Sequence, residues 1–161
     1  MTHASSPQRP RLVLVCGLPG AGKTTLAKRL AREMPAVRLC PDEALVETGF
    51  GLFDEEARAR VEEEQWDRAQ DLLAGGASVI LENGFWGREE RDERRLRARE
   101  LGAAVELRYL EVPLEELRRR MTTRNRAPGA TPVDPALLGE WHTQFQAPTQ
   151  PERDLFDPAN L

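Results

Sequence analysis

Short apolar runs alternate along this chain with longer stretches whose apolar residues recur every three or four positions. RLVLVC (11–16) is apolar almost throughout and predicts a strand buried on both faces. The next stretch places Leu26, Ala27, Leu30, Ala31 and Met34 on one helical stripe and stops at Pro35. AVRLC (36–40) reads as a second strand. Asp54, followed by two glutamates, opens a helix carrying Ala57, Val61, Ala69 and Leu73 on one face, and Gly75-Gly76 closes it. SVILE (78–82) is a third strand, residues 88–100 a helix stopped by Gly102, and VELRYLEV (105–112) a fourth strand. Residues 114–124 form a helix that aligns Leu114, Leu117 and Met121, with acids in its first turn and arginines in its last. Asp134-Pro135 reads as an N-cap and first helical position, ahead of Leu138, Trp141 and Phe145 on one face. DLFDPANL at the tail reads as a fifth, short strand. Strands alternating with helices predict an α/β domain, a parallel sheet covered on both faces, with its ligand at the carboxyl ends of the strands.

Composition narrows this without redirecting it. A chain of 161 residues, 40% hydrophobic and 31% charged, suffices for one domain, expected over 11–161 after a disordered leader at 1–10. A net charge of −4 gives no sign of general attraction to nucleic acid or anionic lipid. No apolar run reaches the ~20 residues that span a bilayer. Cys16 and Cys40 close buried strands and read as small apolar filler in a reducing cytoplasm.

Chemistry enters at GLPGAGKT (17–24), between the first strand and the first helix. The spacing G-x-x-x-x-G-K-T lets Gly17, Gly20 and Gly22 curl the backbone so that several N–H groups face one anion. The helix that follows adds its positive end. The phosphate-binding stretch therefore runs through Gly17, Leu18, Pro19, Gly20, Ala21, Gly22, Lys23, Thr24 and Thr25. Lys23 is placed to reach the β- and γ-phosphates of a nucleotide, and the Thr24 hydroxyl to ligate Mg²⁺.

Two carboxylates fall at strand ends on the same side of the sheet: Asp42 in LCPDE and Glu82 in ILENGFW. Beside a γ-phosphate, Asp42 can take a proton from an acceptor hydroxyl or hold Mg²⁺ through water; it also suits an N-cap. Glu82 reads either as a magnesium residue or as a strand-end charge paired with an arginine. Arg120 and Arg124, four apart in LRRRMTTRNR, share a helix face. They read either as cations for a transferring phosphoryl group or as an exposed basic helix end.

CGLPGAGKTTLAKRL, LCPDE, VILENGFWGREER, LEVPLEELRRRMTTRNR and FQAPTQPE, in that order, resemble the small P-loop kinases. This group includes the kinase domain of polynucleotide 5′-hydroxyl kinases, the chloramphenicol phosphotransferases, the zeta-type toxins and stand-alone bacterial ATP-binding proteins of the AAA type. The resemblance implies a three-layer fold with strand order 2-3-1-4-5 and a helical lid at about 120–133. It implies Asp42 as general base, Arg120 near the adenine and Arg124 at the phosphates. It implies ATP and Mg²⁺, and a γ-phosphate moved to a hydroxyl on a small molecule. A polynucleotide 5′-hydroxyl kinase and a regulatory ATPase without acceptor are the alternatives. Where such kinases usually carry Asp at the end of strand three, this chain has Glu82.

Five further positions stay open on the residues alone. Phe85 and Trp86 suit an acceptor wall or a core plug equally. Arg88 and Arg91 sit at a helix start, where a cation is disfavoured, so each predicts a specific partner: an anionic acceptor group or a carboxylate such as Glu82. Trp66, beside Gln65, reads as packing.

Overall fold

The computed structural model describes residues 9–49, 51, 54–130 and 132–159. Its elements run β1 (Arg11–Cys16), α1 (Lys23–Glu33), β2 (Ala36–Leu39), α2 (Pro41–Thr48), α3 (Glu55–Ala74), β3 (Ser78–Gly84), α4 (Arg88–Glu100), β4 (Ala104–Tyr109), α5 (Leu114–Asn125), α6 (Ala136–Gln144) and α7 (Gln150–Arg153). The strands form a parallel sheet in the order β2-β3-β1-β4, which matches the first four places of the expected order. No fifth strand is found among the described residues; the tail instead runs beside β4 at Asp157. Its N–H donates to the Val105 carbonyl at 2.8 Å, and its carboxylate accepts from the Val105 N–H, also at 2.8 Å.

Alternation along the strands divides the interior. Leu12, Leu14, Val79, Leu81 and Val105 pack toward α3 and α4 with Trp66, Ala69, Leu73 and Ala98. Val13, Val15 and Ile80 pack on the other face against Ala27 and Leu30 of α1. A third cluster joins the phosphate loop to the α5–α6 hairpin: Leu18 and Ala21 meet Leu117, Met121 and Leu138. The base of that hairpin is stapled where the Asn125 amide donates to Val133 O (2.7 Å) and accepts from Val133 N (2.9 Å).

Element ends depart modestly from the sequence reading. Asp54 caps α3 as expected, accepting from the Ala57 N–H at 3.0 Å. The α6 cap shifts to Pro135, while Asp134 accepts from Ala136 N at 2.9 Å. β3 runs two residues past Glu82, because a register shift against β1 between Leu14 and Cys16 accommodates an extra residue. Of the leader, Arg9 and Pro10 are described. Pro10 O accepts from Ala104 N at 2.9 Å, and Arg9 donates to Gly102 O (3.3 Å) and Ala103 O (3.2 Å). Among the described residues, no helix is long and apolar enough to cross a membrane.

Candidate active site

The loop between β1 and α1 is packed too tightly for side chains at its start. A Cβ on Gly17 would lie 3.2 Å from both the Ala21 Cβ and the Leu110 carbonyl. Gly22 adopts a left-handed conformation (φ 99°) and N-caps α1 with no side-chain hydrogen bond. No acid stands in the first turn of α1, whereas α2, α3, α4 and α5 each carry two there. The open N–H groups and the helix's positive end are left for an anion. Lys23 folds back across the loop, donating to Gly17 O (3.2 Å) and Leu18 O (3.0 Å). Burial lowers its pKa, and the charges of Asp42, Cys16 and Glu82 pull it back up. The lysine therefore sits in the joint field of the two carboxylates singled out in the sequence.

Glu82 is buried at the end of β3, with each oxygen engaged. Oε1 accepts from the Thr24 hydroxyl at 2.8 Å, and Oε2 pairs with Arg38 of β2. Both sequence readings of Glu82 thus meet in one residue: it touches the threonine of the loop and it is paired with an arginine. Burial disfavours the Arg38 charge, but the hydrogen bonds it donates to Glu43 and Glu82 outweigh this and hold its pKa above the usual value. Two hard oxygen donors side by side at a phosphate loop fit Mg²⁺, which typically takes one or two protein oxygens and completes its shell from phosphates and water. Among the described residues, no cluster of three His, Cys, Asp or Glu side chains forms a cage of protein ligands alone.

Asp42 occupies the second position of α2, whose cap is Cys40, so the N-cap reading of Asp42 is corrected. Its carboxylate is paired instead with Arg58 of α3, in a pair whose side chains are 59% and 31% exposed. Arg120 leans from α5 onto the loop, donating to Gly20 O (3.0 Å) while also bonding Glu116 (3.0 Å). Arg124, one turn on, is exposed, and its side chain has no hydrogen bond or ion pair among the described residues. The structure therefore brings Lys23, Thr24, Glu82 and Arg120 together at the loop; Asp42 and Arg124 stand at its margins.

The two arginines opening α4 have a carboxylate partner, as expected, but it is Glu152 rather than Glu82. Arg91 forms a bidentate pair with Glu152 of α7 (2.6 and 2.8 Å), both side chains being 1% exposed. Its third contact is the Phe85 carbonyl, at 2.7 Å. Arg88 bonds Asp92 at 3.0 Å and lies 3.8 Å from the same Glu152. Neither arginine is paired with Glu82, which is engaged by Thr24 and Arg38. The carbonyl that Arg91 secures belongs to a strained residue: Phe85 has φ 49°, unusual for a bulky side chain, and is buried in the core. Gly84 just before it (φ 86°) accepts from Gly17 N at 3.0 Å, which locks the turn after β3 to the start of the phosphate loop. Trp86 turns toward the α5–α6 hairpin, its ring 6.2 Å from that of Trp141. Trp66 is core, capped by the Arg94 guanidinium 4.5 Å above its ring.

Sequence reasoning missed Arg38, Arg58, Asn83 and Glu152. A charged residue inside the apolar run AVRLC was a signal for Arg38, and an unexplained arginine at position 91 was half of the signal for Glu152. Both Asn83 amide atoms are buried without a hydrogen-bond partner among the described residues, as is Gln65 Oε1.

Comparison with known proteins agrees with this geometry. A family model described as "AAA domain" matches residues 12–148. A shikimate kinase of Corynebacterium glutamicum is 30% identical over 130 residues, covering 78% of this chain and 72% of that protein. Among solved structures, a chain of the Pnkp1/Rnl/Hen1 RNA repair complex superposes with a TM-score of 0.74 at 22% identity. It covers 96% of this chain, which spans only 48% of that chain's length. A sugar kinase of Janibacter sp. HTCC2649 matches at 25% identity and TM-score 0.64, covering 89% of this chain and 82% of its own. The chain belongs to the AAA domain family and has the fold of the small P-loop kinases.

Proposed function

We propose that the protein is an ATP-dependent kinase that moves the γ-phosphate to a hydroxyl of a small molecule. The observation that supports this best is the contact of Thr24 with Glu82 (2.8 Å) beside Lys23 at the open start of α1, with Asp42 at the margin of the same site, just after β2. A phosphate-holding cation alone would suit any nucleotide-binding protein; a carboxylate at the margin of the site, as Asp42 is, would give a place for the acceptor's proton.

In the proposed reaction the loop N–H groups and Lys23 hold the β- and γ-phosphates, and Arg120 and Arg124 close over them. Thr24 and Glu82 are the residues that would hold Mg²⁺, which when bound neutralises phosphate charge. The acceptor oxygen is held in line with the γ-phosphorus, and its proton passes to the Asp42 carboxylate. The new O–P bond forms as the bond from phosphorus to the β–γ bridging oxygen breaks, and ADP leaves. Before this, Asp42 must release Arg58. Exposed pairs of this kind contribute about 0.2–1 kcal/mol, so the exchange is easy.

The test is to incubate the protein with γ-labelled ATP, Mg²⁺ and an extract of small metabolites, and to follow the label. A labelled organic product is expected. Release of inorganic phosphate alone would replace the reading with an ATPase, and label on oligonucleotide 5′ ends in a parallel reaction would replace it with a polynucleotide kinase. The net charge of −4 speaks against the last.

A further inference from the structure

Arg38 occupies a strand position facing α1 that an apolar residue would ordinarily fill. It stands opposite Ile80 in the β2–β3 register, so it shares a sheet face with Ile80 and, two residues further along β3, with Glu82. Ile80 packs on that face against Ala27 and Leu30 of α1. Val37 and Leu39, on either side of Arg38, turn to the opposite face and its core. The pleat thus sends Arg38 and Glu82 to the side of the sheet covered by α1, whose first turn holds Thr24.

Four side chains join there in one run of contacts. Thr24 donates its hydroxyl to Glu82 Oε1 at 2.8 Å, and Arg38 Nη1 donates to Glu82 Oε2. Arg38 Nη2 donates to both oxygens of Glu43, the third residue of α2, at 2.7 and 2.5 Å. Exposure rises along the run, from 1% for the Glu82 side chain to 18% for Arg38 and 48% for Glu43. A hydroxyl has one proton and two lone pairs. With its proton directed to Glu82, the exposed Thr24 keeps its lone pairs for a cation. A glutamate has several rotatable bonds and does not hold that direction by itself. The guanidinium fork fixes its second oxygen, and Glu43 fixes the fork. Stability alone does not account for the arrangement, since apolar residues of similar volume often stabilise as well as a buried ion pair or better.

We infer that Arg38 is a positioning residue of the Mg²⁺ site. It acts through Glu82, whose carboxylate it sets, and Glu82 in turn sets the hydroxyl of Thr24. This rests on the nucleotide and Mg²⁺ part of the reading above and adds to it a residue of β2.

The experiment measures binding, so it needs no acceptor and no turnover. Calorimetry gives the affinity for the β,γ-imido analogue of ATP, without metal and across a Mg²⁺ titration. The proteins compared are the parent, Arg38→Lys, Glu82→Gln and the double variant. Lysine keeps a cation beside buried Glu82 but lacks the fork, so the charge that Mg²⁺ meets at position 38 is held constant. In Arg38→Lys the Mg²⁺ concentration required should rise about tenfold, the lower end of what outer partners of metal ligands contribute. Affinity for the analogue without metal should stay within about twofold of the parent, because the loop N–H groups and Lys23 are untouched. In the Glu82→Gln background the same substitution should change the Mg²⁺ requirement by less than about twofold. An unchanged requirement in Arg38→Lys overturns the inference even if the melting temperature falls, since a residue that only braces the fold leaves the metal alone. Equal losses in both backgrounds overturn it too, by showing that Arg38 does not act through Glu82. A loss of metal-free affinity would assign Arg38 to the nucleotide and overturn it as well. If Mg²⁺ fails to tighten the analogue in the parent, the Mg²⁺ reading falls together with the inference, while the fate of the label still decides the kinase reading.

Discussion

Two ion pairs bracket the reaction centre and have opposite characters. Arg91–Glu152 is sealed, each side chain 1% exposed, with bidentate geometry and a third bond to the Phe85 carbonyl. Arg58–Asp42 is a single contact open to solvent, at 31% and 59% exposure. The first ties α7, α4 and the strained turn after β3 into one piece, and through Gly84 and Gly17 that piece is continuous with the phosphate loop. The second joins α2 and α3, the helices that carry the acceptor side in the proposed reaction. The nucleotide side of the site is therefore built before any ligand arrives. In the proposed reaction the acceptor side holds its carboxylate, Asp42, in a provisional partnership that a ligand can replace. A buried pair resists exchange because either charge alone would be stranded in a low-dielectric interior; an exposed pair exchanges with water at little cost.

The largest effect expected is on rate. Asp42→Asn should lower transfer by about 10²–10⁴-fold, the usual worth of a general base. Its melting temperature should barely move, because only an exposed pair is lost. Measured together, rate and melting curve decide the matter: an unchanged rate per folded molecule removes Asp42 from the chemistry and makes Glu82 the next carboxylate to test. Lys23→Ala belongs to the same scale, with loss of nucleotide-dependent activity measured as the absence of labelled product.

The sealed pair should show the converse. Glu152→Ala strands a buried guanidinium and should cost about 3–5 kcal/mol of stability, read from denaturant unfolding. At a permissive temperature the surviving folded molecules should bind ATP more weakly, because the Phe85 carbonyl and the turn behind the phosphate loop lose their anchor. A variant as stable as the parent would mean that Arg91 finds another partner, and the contrast between the two pairs would collapse.

How far the sequence carried these conclusions differs between the two regions. The phosphate loop was readable because its chemistry is local: glycines, lysine and threonine act within eight residues, between a strand and a helix that have their own periodic signals. Asp42 and Glu82 could be placed for the same reason, since a parallel sheet sends every strand end to one side. The partners were not readable. Arg91 and Glu152 are 61 positions apart, and Arg38 and Glu82 are 44 apart. The sequence showed that a cation at the start of α4 needed an answer, but tertiary packing chose Glu152 over Glu82. The extra residue in β3 escaped notice because LENG breaks the apolar run just where the strand continues. The tail read as a strand because of its apolar residues, yet Asp157 meets Val105 through one backbone bond and one carboxylate.

The smallest expected effect sharpens the comparison through pH. Glu62, one turn beyond Arg58 on α3, has its carboxyl pushed up to about 7. Burial is the main cause, and Glu90 of α4 reinforces it; Arg58 and Arg94 oppose it, while the charge of Asp42 adds to it. An acid with a raised native pKa binds more protons folded than unfolded between its ordinary value of 4.5 and about 7. Stability must therefore fall as pH rises through that window and level off above it. Below 4.5 both states are protonated and Glu62 contributes no slope. Glu62→Gln removes this term. Its stability relative to the parent should be unchanged near pH 4 and should climb as pH rises. Above about pH 7.5 it should reach a plateau gain on the order of 1 kcal/mol. Urea unfolding of both proteins at half-unit steps of pH measures the difference. A flat difference would mean that Glu62 is solvated in the folded protein, and that the acceptor side is as open around α3 as it is at Asp42.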